Sequence, residues 1–358
     1  MRILLYNWRD LKHPLAGGAE VYSDTVATEW VKMGHSVTLF CAAVEGECKR
    51  EVSVNGYEIV RRGSRHGVYR EAKRFWKQEG PGNIDLVIEV VNTRPFRCSS
   101  FVKGVRVFAI VFQVAREVWF YEANPLVAVM GRYILEPFWI KRLRNIQIVT
   151  ISKSSKQSLE DYGVRRVSIV PIGHHALKSS EFRKESEPTL LFIGRLTANK
   201  RPGDVIRAFQ EVRRTLPNAK LWIIGDGPQR AKLQKYEVEG VEFLGRLDEA
   251  EKYKRLASAH LLLVTSVREG WGMVVTEAAF LGTPSIGYDV DGLRDSLATH
   301  GGLSVNPDPH SLARAIIEFF LGELKLTASD GLSDGSILPW SEVASALLRV
   351  SRSVVPVE

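Results

Sequence analysis

Cysteine is scarce in this chain, with three in 358 residues. Cys41, Cys48 and Cys98 form no C-x-x-C pair and are odd in number. That argues against a disulfide framework and a cysteine-built zinc site, and a reducing cytoplasm is the expected compartment. Long apolar runs are missing as well. None reaches the roughly 18 residues that a membrane-spanning helix needs. The opening Arg2–Tyr6 is apolar but short, lacks the flanks of a signal peptide and reads as a first strand. No interleaved basic and aromatic motif of a nucleic-acid reader occurs, so nucleic acid is not an expected partner.

What is present is the composition of a globular protein, 45% hydrophobic and 25% charged. The length suits two domains, each able to bury its own core. The net charge of +8 is uneven. Residues 1–171 hold 26 Lys/Arg against 17 Asp/Glu, and the remainder 23 against 24, so the whole excess lies in the N-terminal half. An ordinary solvated surface accounts for this. The sharper alternatives are an anionic membrane surface or a phosphate-bearing acceptor.

Strand and helix signals alternate throughout, which predicts parallel sheets with helices on both faces. In the first half strands are expected at Ile3–Tyr6, Val37–Cys41, Tyr57–Val60, Leu86–Val90, Val105–Phe112 and Gln147–Ile151. Helices are expected at Glu20–Met33, closed by Gly34, and at Tyr69–Gln78, Val127–Arg144 and Ser154–Tyr162. A polar linker falls between Gly173 and Pro188. A second series of strands follows at Leu190–Ile193, Lys220–Ile224, Val241–Leu244, Leu261–Val264, Ser285–Tyr288 and Leu303–Val305. Lys325–Pro339 reads as a loop. Two doubly wound sheets joined by a linker place a ligand at the carboxyl ends of their strands.

The most informative stretch is Glu269-Gly270-Trp271-Gly272-Met273-Val274-Val275-Thr276-Glu277, an E-x7-E spacing. The run before it, ending at Ser266, reads as a buried strand. The run after Gly272 has helical spacing. Eight residues of helix rise about 12 Å, so two turns or less separate the carboxylates. Between them lie glycines that let backbone approach a ligand and a helix N-terminus that attracts anions. A nucleotide-sugar, with hydroxyls at both ends of a diphosphate, fits this layout.

Arg268–Pro284 resembles the donor-binding signature of family 4 glycosyltransferases, retaining enzymes of the GT-B fold. Gly17-Gly18-Ala19-Glu20 resembles the family's N-terminal glycine loop, and Phe192-Ile193-Gly194-Arg195 with Lys200 its diphosphate clamp. Gly225-Asp226-Gly227-Pro228 and Gly292–Ser296 also fit, so the likeness spans nearly the whole chain. It implies two Rossmann-like doubly wound parallel-sheet domains facing a central cleft. The first would be an acceptor-side domain over 1–175 and the second a donor domain over 185–335. A helix over 336–358 would cross back to the first. Arg195 and Lys200 would neutralise the leaving diphosphate. Glu277 would accept the ribose hydroxyls and Glu269 face the transferred sugar. Gly17, Gly18, Met273 and Val274 would offer backbone amides, with Gly270, Trp271 and Gly272 forming the loop. No cofactor or metal is expected.

The resemblance breaks at one place. Many members carry a histidine at the end of the strand that here reads Val111-Phe112-Gln113. Phe112 takes that position, and Gln113 points to the other face of a strict strand. His174 and His175 at the domain junction read as structural or solvated, with a reach into the site as the alternative. Arg132–Arg144 mixes large apolar groups with cations. It reads as a core-packed helix with a basic outer face, or else as a membrane-surface element interrupted by Pro137. The expected function is retaining transfer of a sugar from a nucleotide-diphosphate sugar to a saccharide or lipid-linked acceptor. It would occur in the cytoplasm, with peripheral contact at an anionic membrane face as one reading. A catalytically impaired nucleotide-sugar-binding protein and a sugar-nucleotide epimerase are the alternatives.

Overall fold

The computed structural model describes residues 1–174, 182–236, 238–332, 335 and 337–357. The chain divides into two compact units. One comprises Met1–Ala115, Met130–Gly173 and Leu338–Glu358, the other Arg116–Val129 and His174–Ile337.

The first unit is built on strands β1 (Arg2–Tyr6), β2 (Ser36–Cys41), β3 (Arg50–Val52), β4 (Glu58–Arg61), β5 (Leu86–Val91), β6 (Arg106–Val111), β7 (Gln147–Thr150) and β8 (Val167–Ile169). They form one sheet in the order β3-β4-β2-β1-β5-β6-β7-β8. Only the short β3 runs antiparallel, against β4. The central β5 is buried along its whole length, as expected of a parallel strand covered on both faces. Helix Gly18–Lys32 ends in a left-handed glycine cap. Gly34 has φ +81°, its N–H donates to Val31 O, and the His35 N–H donates to Trp30 O. The C-terminal helix Trp340–Arg352 packs on that first helix, with Trp30 Nε1 donating to Ala344 O at 3.0 Å.

The second unit holds β9 (Thr189–Ile193), β10 (Lys220–Ile224), β11 (Val241–Gly245), β12 (Leu261–Val264), β13 (Ser285–Tyr288) and β14 (Leu303–Val305). All are parallel, in the order β11-β10-β9-β12-β13-β14. Strand alternation sorts the core onto two faces. Leu190 and Phe192 pack with Val205, Ile206 and Phe209 of helix Pro202–Thr215. Leu191 packs with Leu256, Val275 and Ala278 on the other side. The strand order reverses between β9 and β12. In open α/β sheets ligands collect at the carboxyl ends of the strands flanking that reversal. The first sheet has its own reversal between β1 and β5, where Asn92 Nδ2 donates to Asn7 Oδ1 at 2.9 Å.

Four differences from the sequence reading stand out. Residues Arg116–Val129, assigned on sequence to the first domain, group with the second unit. Glu117 accepts from Arg268 Nη1 there at 3.0 Å. The edge strands β3 and β8 were not anticipated, being three residues each and too short to show a period. The helix expected over Val127–Arg144 is three pieces, Pro125–Met130, a π-helical turn Gly131–Leu135, and Glu136–Lys141. Pro137 sits in the first turn of the last piece. It has no N–H to give to the preceding turn, which widens instead. The strand expected to run through Phe112 stops at Val111. Among the described residues, no helix is long and apolar enough to cross a membrane.

Candidate functional site

The second unit's reversal point gathers the residues that carry charge. Arg195 follows β9, Lys200 closes a short turn ahead of helix Pro202–Thr215, and Ser266–Glu269 follow β12. Lys200 Nζ pairs with Glu269 Oε1, and Ser266 Oγ donates to the same oxygen at 2.6 Å. The sequence placed Lys200 and Glu269 in one site, and the fold joins them directly. Arg195 is half-buried. Among the described residues its guanidinium has no ion-pair partner, so a cation at a strand's carboxyl end stays available to an anionic ligand.

Two glycines make this crowding feasible. A Cβ at position 292 would lie 2.0 Å from Glu269 O, and one at position 225 would lie 1.9 Å from Gly194 O. Both residues have positive φ, +76° and +130°. A side chain at either position forces the Glu269 or Gly194 loop out of place. Arg268, buried at 5% exposure, pins the same loop through Asp291 at 2.5 Å and Glu117 at 3.0 Å.

Helix Met273–Phe280 starts from Gly272 at φ +87°. The Met273 and Val274 amides are the first two of the helix and have no acceptor within it. The Val274 side chain packs on the core, while Met273 is half-buried. Trp271 is buried and held by a directed chain. Its indole N–H donates to Thr276 Oγ1 at 2.9 Å. Thr276 Oγ1 lies 2.9 Å from His300 Nε2, and His300 Nδ1 lies 2.7 Å from Ser329 O. A carbonyl only accepts, so Nδ1 carries the proton, and in the neutral ring Nε2 accepts from the Thr276 hydroxyl. The sequence reading missed Thr276, His300 and Ser266 as supports. No local spacing links them, and only the packed fold does.

Glu277 sits just over one turn into that helix and pairs with Lys252 at 3.1 Å. Its side chain is 23% exposed. Burial pushes its carboxyl above the ordinary glutamate value, and Lys252 partly offsets this. Lys252 was also unanticipated, because it comes from helix Glu249–Ser258, on a separate βα segment.

Two family models match the chain. The one for Glycosyltransferase Family 4 matches residues 16–175, and the one for Glycosyl transferases group 1 matches residues 175–329. The chain belongs to the family 4 glycosyltransferases. It is 29% identical over 191 residues to a glycogen synthase of Mycobacterium tuberculosis, covering 50% of this chain and 46% of that protein. It is 31% identical over 127 residues to a phosphatidyl-myo-inositol mannosyltransferase of Propionibacterium freudenreichii, covering 35% and 32%. The matches span about half of the curated relatives' length or less. The sucrose-phosphate synthase from Thermosynechococcus elongatus superposes with a TM-score of 0.77 at 19% identity, over 98% of each chain. That likeness establishes the GT-B fold.

The remaining residues singled out from the sequence lie as follows. Gly17 and Gly18 belong to the first unit, as the N-cap and the first residue of helix Gly18–Lys32 after β1. The Gly17 N–H is already taken by Glu20 Oε2 at 2.7 Å. Burial raises the Glu20 carboxyl, and Arg9, paired at 3.2 Å, pulls it back. The loop amides with no acceptor inside the helix are therefore those of Gly18 and Ala19. Phe112 packs edge-on against Tyr22, ring centroids 4.9 Å apart, and Tyr22 in turn packs on Trp340 at 5.3 Å. Because β6 ends at Val111, strand alternation no longer fixes where Gln113 points. Its Oε1 is buried and has no hydrogen-bond partner among the described residues. His174 stacks on Phe280 at 4.7 Å. His175 lies outside the described residues.

Proposed function

We propose that the chain is a retaining glycosyltransferase. It moves a sugar from a nucleotide-diphosphate sugar to a saccharide or lipid-linked acceptor, with no metal. The observation that carries this is the second unit's reversal point. There a half-buried Arg195, the Lys200–Glu269–Ser266 cluster and the open amides of Met273 and Val274 converge. Arg195 and Lys200 take up charge on the leaving diphosphate, the helix start adds its positive end, and Glu277 accepts ribose hydroxyls. In the transfer step the bond from the anomeric carbon to the diphosphate oxygen breaks. The acceptor oxygen bonds the same face of that carbon, and the acceptor's proton passes to the departing diphosphate. No protein nucleophile or base is needed, so alignment and charge stabilisation are the protein's share. Phe112 then costs acceptor alignment rather than chemistry.

The alternative is a binding protein that keeps the donor seat, favoured by Phe112 being used as a packing group against Tyr22. A sugar-nucleotide epimerase is the other rival. Donor turnover with a matched acceptor, with the product anomer read by NMR, separates the three. Transfer with retained configuration is expected. Tight donor binding without transfer across lipid and saccharide acceptors sinks the enzyme reading, and turnover without acceptor points to an epimerase.

A second reading adds reversible contact with an anionic membrane. Tyr133, Ile134 and Phe138 are exposed on the segment that also carries Arg132, Lys141 and Arg142, a pairing suited to a lipid interface. Sedimentation with anionic vesicles is expected to be strong at low salt and to fall as salt rises. Protein that stays in the supernatant at low salt rules the contact out.

A further inference from the structure

A cavity within the first unit has a volume of about 740 Å³. Its walls come from helix Val68–Glu79, the Arg94–Phe101 segment after β5, and the helix Glu136–Lys141. Four cations line it, Arg70, Lys73, Arg94 and Arg97, and no acidic residue does. Among the described residues none of the four has a carboxylate within salt-bridge distance. Nearby Arg62 and Arg74, by contrast, are paired with Glu79 and Glu71. Like charges converging on one cavity repel, and an anion between them removes the cost.

The walls are also built rather than merely basic. The Arg94 guanidinium stacks over the Tyr69 ring at 4.3 Å, which holds its fork in place. Arg97 is held at φ +63°, a strained conformation for a side-chain-bearing residue. It is fixed by the Glu89 carboxylate, which accepts the Arg97 N–H at 2.8 Å. Glu89 lies wholly buried at 0% exposure, and burial pushes its carboxyl up to about 7. Trp139 and Phe138 complete an aromatic wall. Beyond Phe138 a second cavity of about 400 Å³ continues the same character, with Lys141, Arg142 and Arg144.

We infer that this pocket is an acceptor subsite for a phosphate or diphosphate group, with the aromatic wall holding the sugar ring or isoprenoid chain attached to it. The inference rests on the transferase reading above and names the acceptor's class. The cations supply charge-assisted hydrogen bonds to phosphoryl oxygens, with Arg94 and Arg97 offering forks and Lys73 a point charge. The aromatic rings accept either a pyranose face or an unsaturated hydrocarbon. Their joint presence restricts the acceptor to molecules carrying both features.

The test must keep the donor clamp from answering for the pocket. The Arg195→Ala/Lys200→Ala protein is therefore titrated calorimetrically with inorganic pyrophosphate, geranyl diphosphate and glucose 6-phosphate. The same titrations are repeated with Lys73→Ala/Arg94→Ala added. Both of these pocket residues are exposed, so folding is expected to survive, and melting temperature checks it. The clamp-free protein is expected to bind at least one probe one-to-one, and the added pair to weaken that binding at least tenfold. A tighter geranyl diphosphate identifies a lipid-linked acceptor, and a tighter glucose 6-phosphate a phosphorylated sugar. Absence of one-to-one binding by the clamp-free protein overturns the inference, as does unchanged affinity after the pocket pair is removed. Nucleotide-sugar affinity of the protein with only Lys73→Ala/Arg94→Ala is measured alongside. If it is intact while the pocket fails, the subsite inference alone falls. If nucleotide sugars fail to bind while the pocket works, the transferase reading falls instead.

Discussion

Replacing Lys200 by alanine is expected to lower the rate of sugar transfer roughly 10²–10³-fold, and Arg195→Ala to give a loss of the same order. Both groups are proposed to sit where negative charge develops as the diphosphate leaves, and losing one such preorganised group costs about 3–4 kcal/mol of transition-state stabilisation. Lys200 has a second job. It pairs with Glu269, whose Oε1 would keep only the Ser266 hydroxyl in the variant. Lys200→Ala therefore also unsettles the carboxylate proposed to face the sugar, whereas Arg195→Ala leaves it alone. The double variant falls short of the product of the two losses, because both act on one leaving group. Steady-state kinetics with matched donor and acceptor reads this as a fall in kcat larger than any rise in donor KM. A kcat within threefold of the parent protein for either variant removes these residues from the leaving-group role.

Glu277→Ala is expected to weaken binding of the free nucleotide by about 1.5–3 kcal/mol, the usual cost of a lost charge-assisted hydrogen bond. Glu269→Ala is expected to leave the nucleotide nearly untouched and to weaken the nucleotide sugar. The basis for the contrast is placement. Glu277 lies on the helix and is held by Lys252 at 3.1 Å, whereas Glu269 lies on the loop held by Lys200 and Ser266. Accepting ribose hydroxyls requires the ionised carboxylate. Burial raises the Glu277 pKa, so nucleotide affinity falls on acidification at a higher pH than an ordinary glutamate would give. Calorimetric titration of each variant with nucleotide and with nucleotide sugar checks both statements. Unchanged nucleotide affinity in folded Glu277→Ala sinks its assignment, and equal losses for both ligands in Glu269→Ala erase the distinction.

Much of the candidate donor site was readable because it is written in local patterns. The E-x7-E run, the Gly194-Arg195 strand end and the glycines at 225 and 292 each have a consequence confined to a few residues. All twelve strands expected from apolar runs have a counterpart in the two sheets. The supports were not readable. Lys252 reaches Glu277, and His300 reaches Thr276, from separate βα segments. Such meetings depend on how strands are ordered, not on spacing along the chain. The pocket of the first unit was hidden for the same reason. Arg70, Lys73, Arg94 and Arg97 look like scattered surface charges in sequence and share a cavity only after β5 is set beside β1. The sequence showed an excess of positive charge in this half and could not locate it. The π-helical turn at Gly131–Leu135 shows the opposite case. Pro137 announced an irregularity, but whether it ended the helix or widened a turn depended on packing.

The central claim is that a nucleotide sugar seats at the carboxyl ends of β9 and β12. Hydrogen exchange with and without a saturating nucleotide sugar tests it most directly. Protection is expected at residues 194–201 and 266–277, led by the Met273 and Val274 amides, which have no acceptor within their helix. Protection confined to the first unit, with residues 266–277 exchanging as in the free protein, would contradict the account.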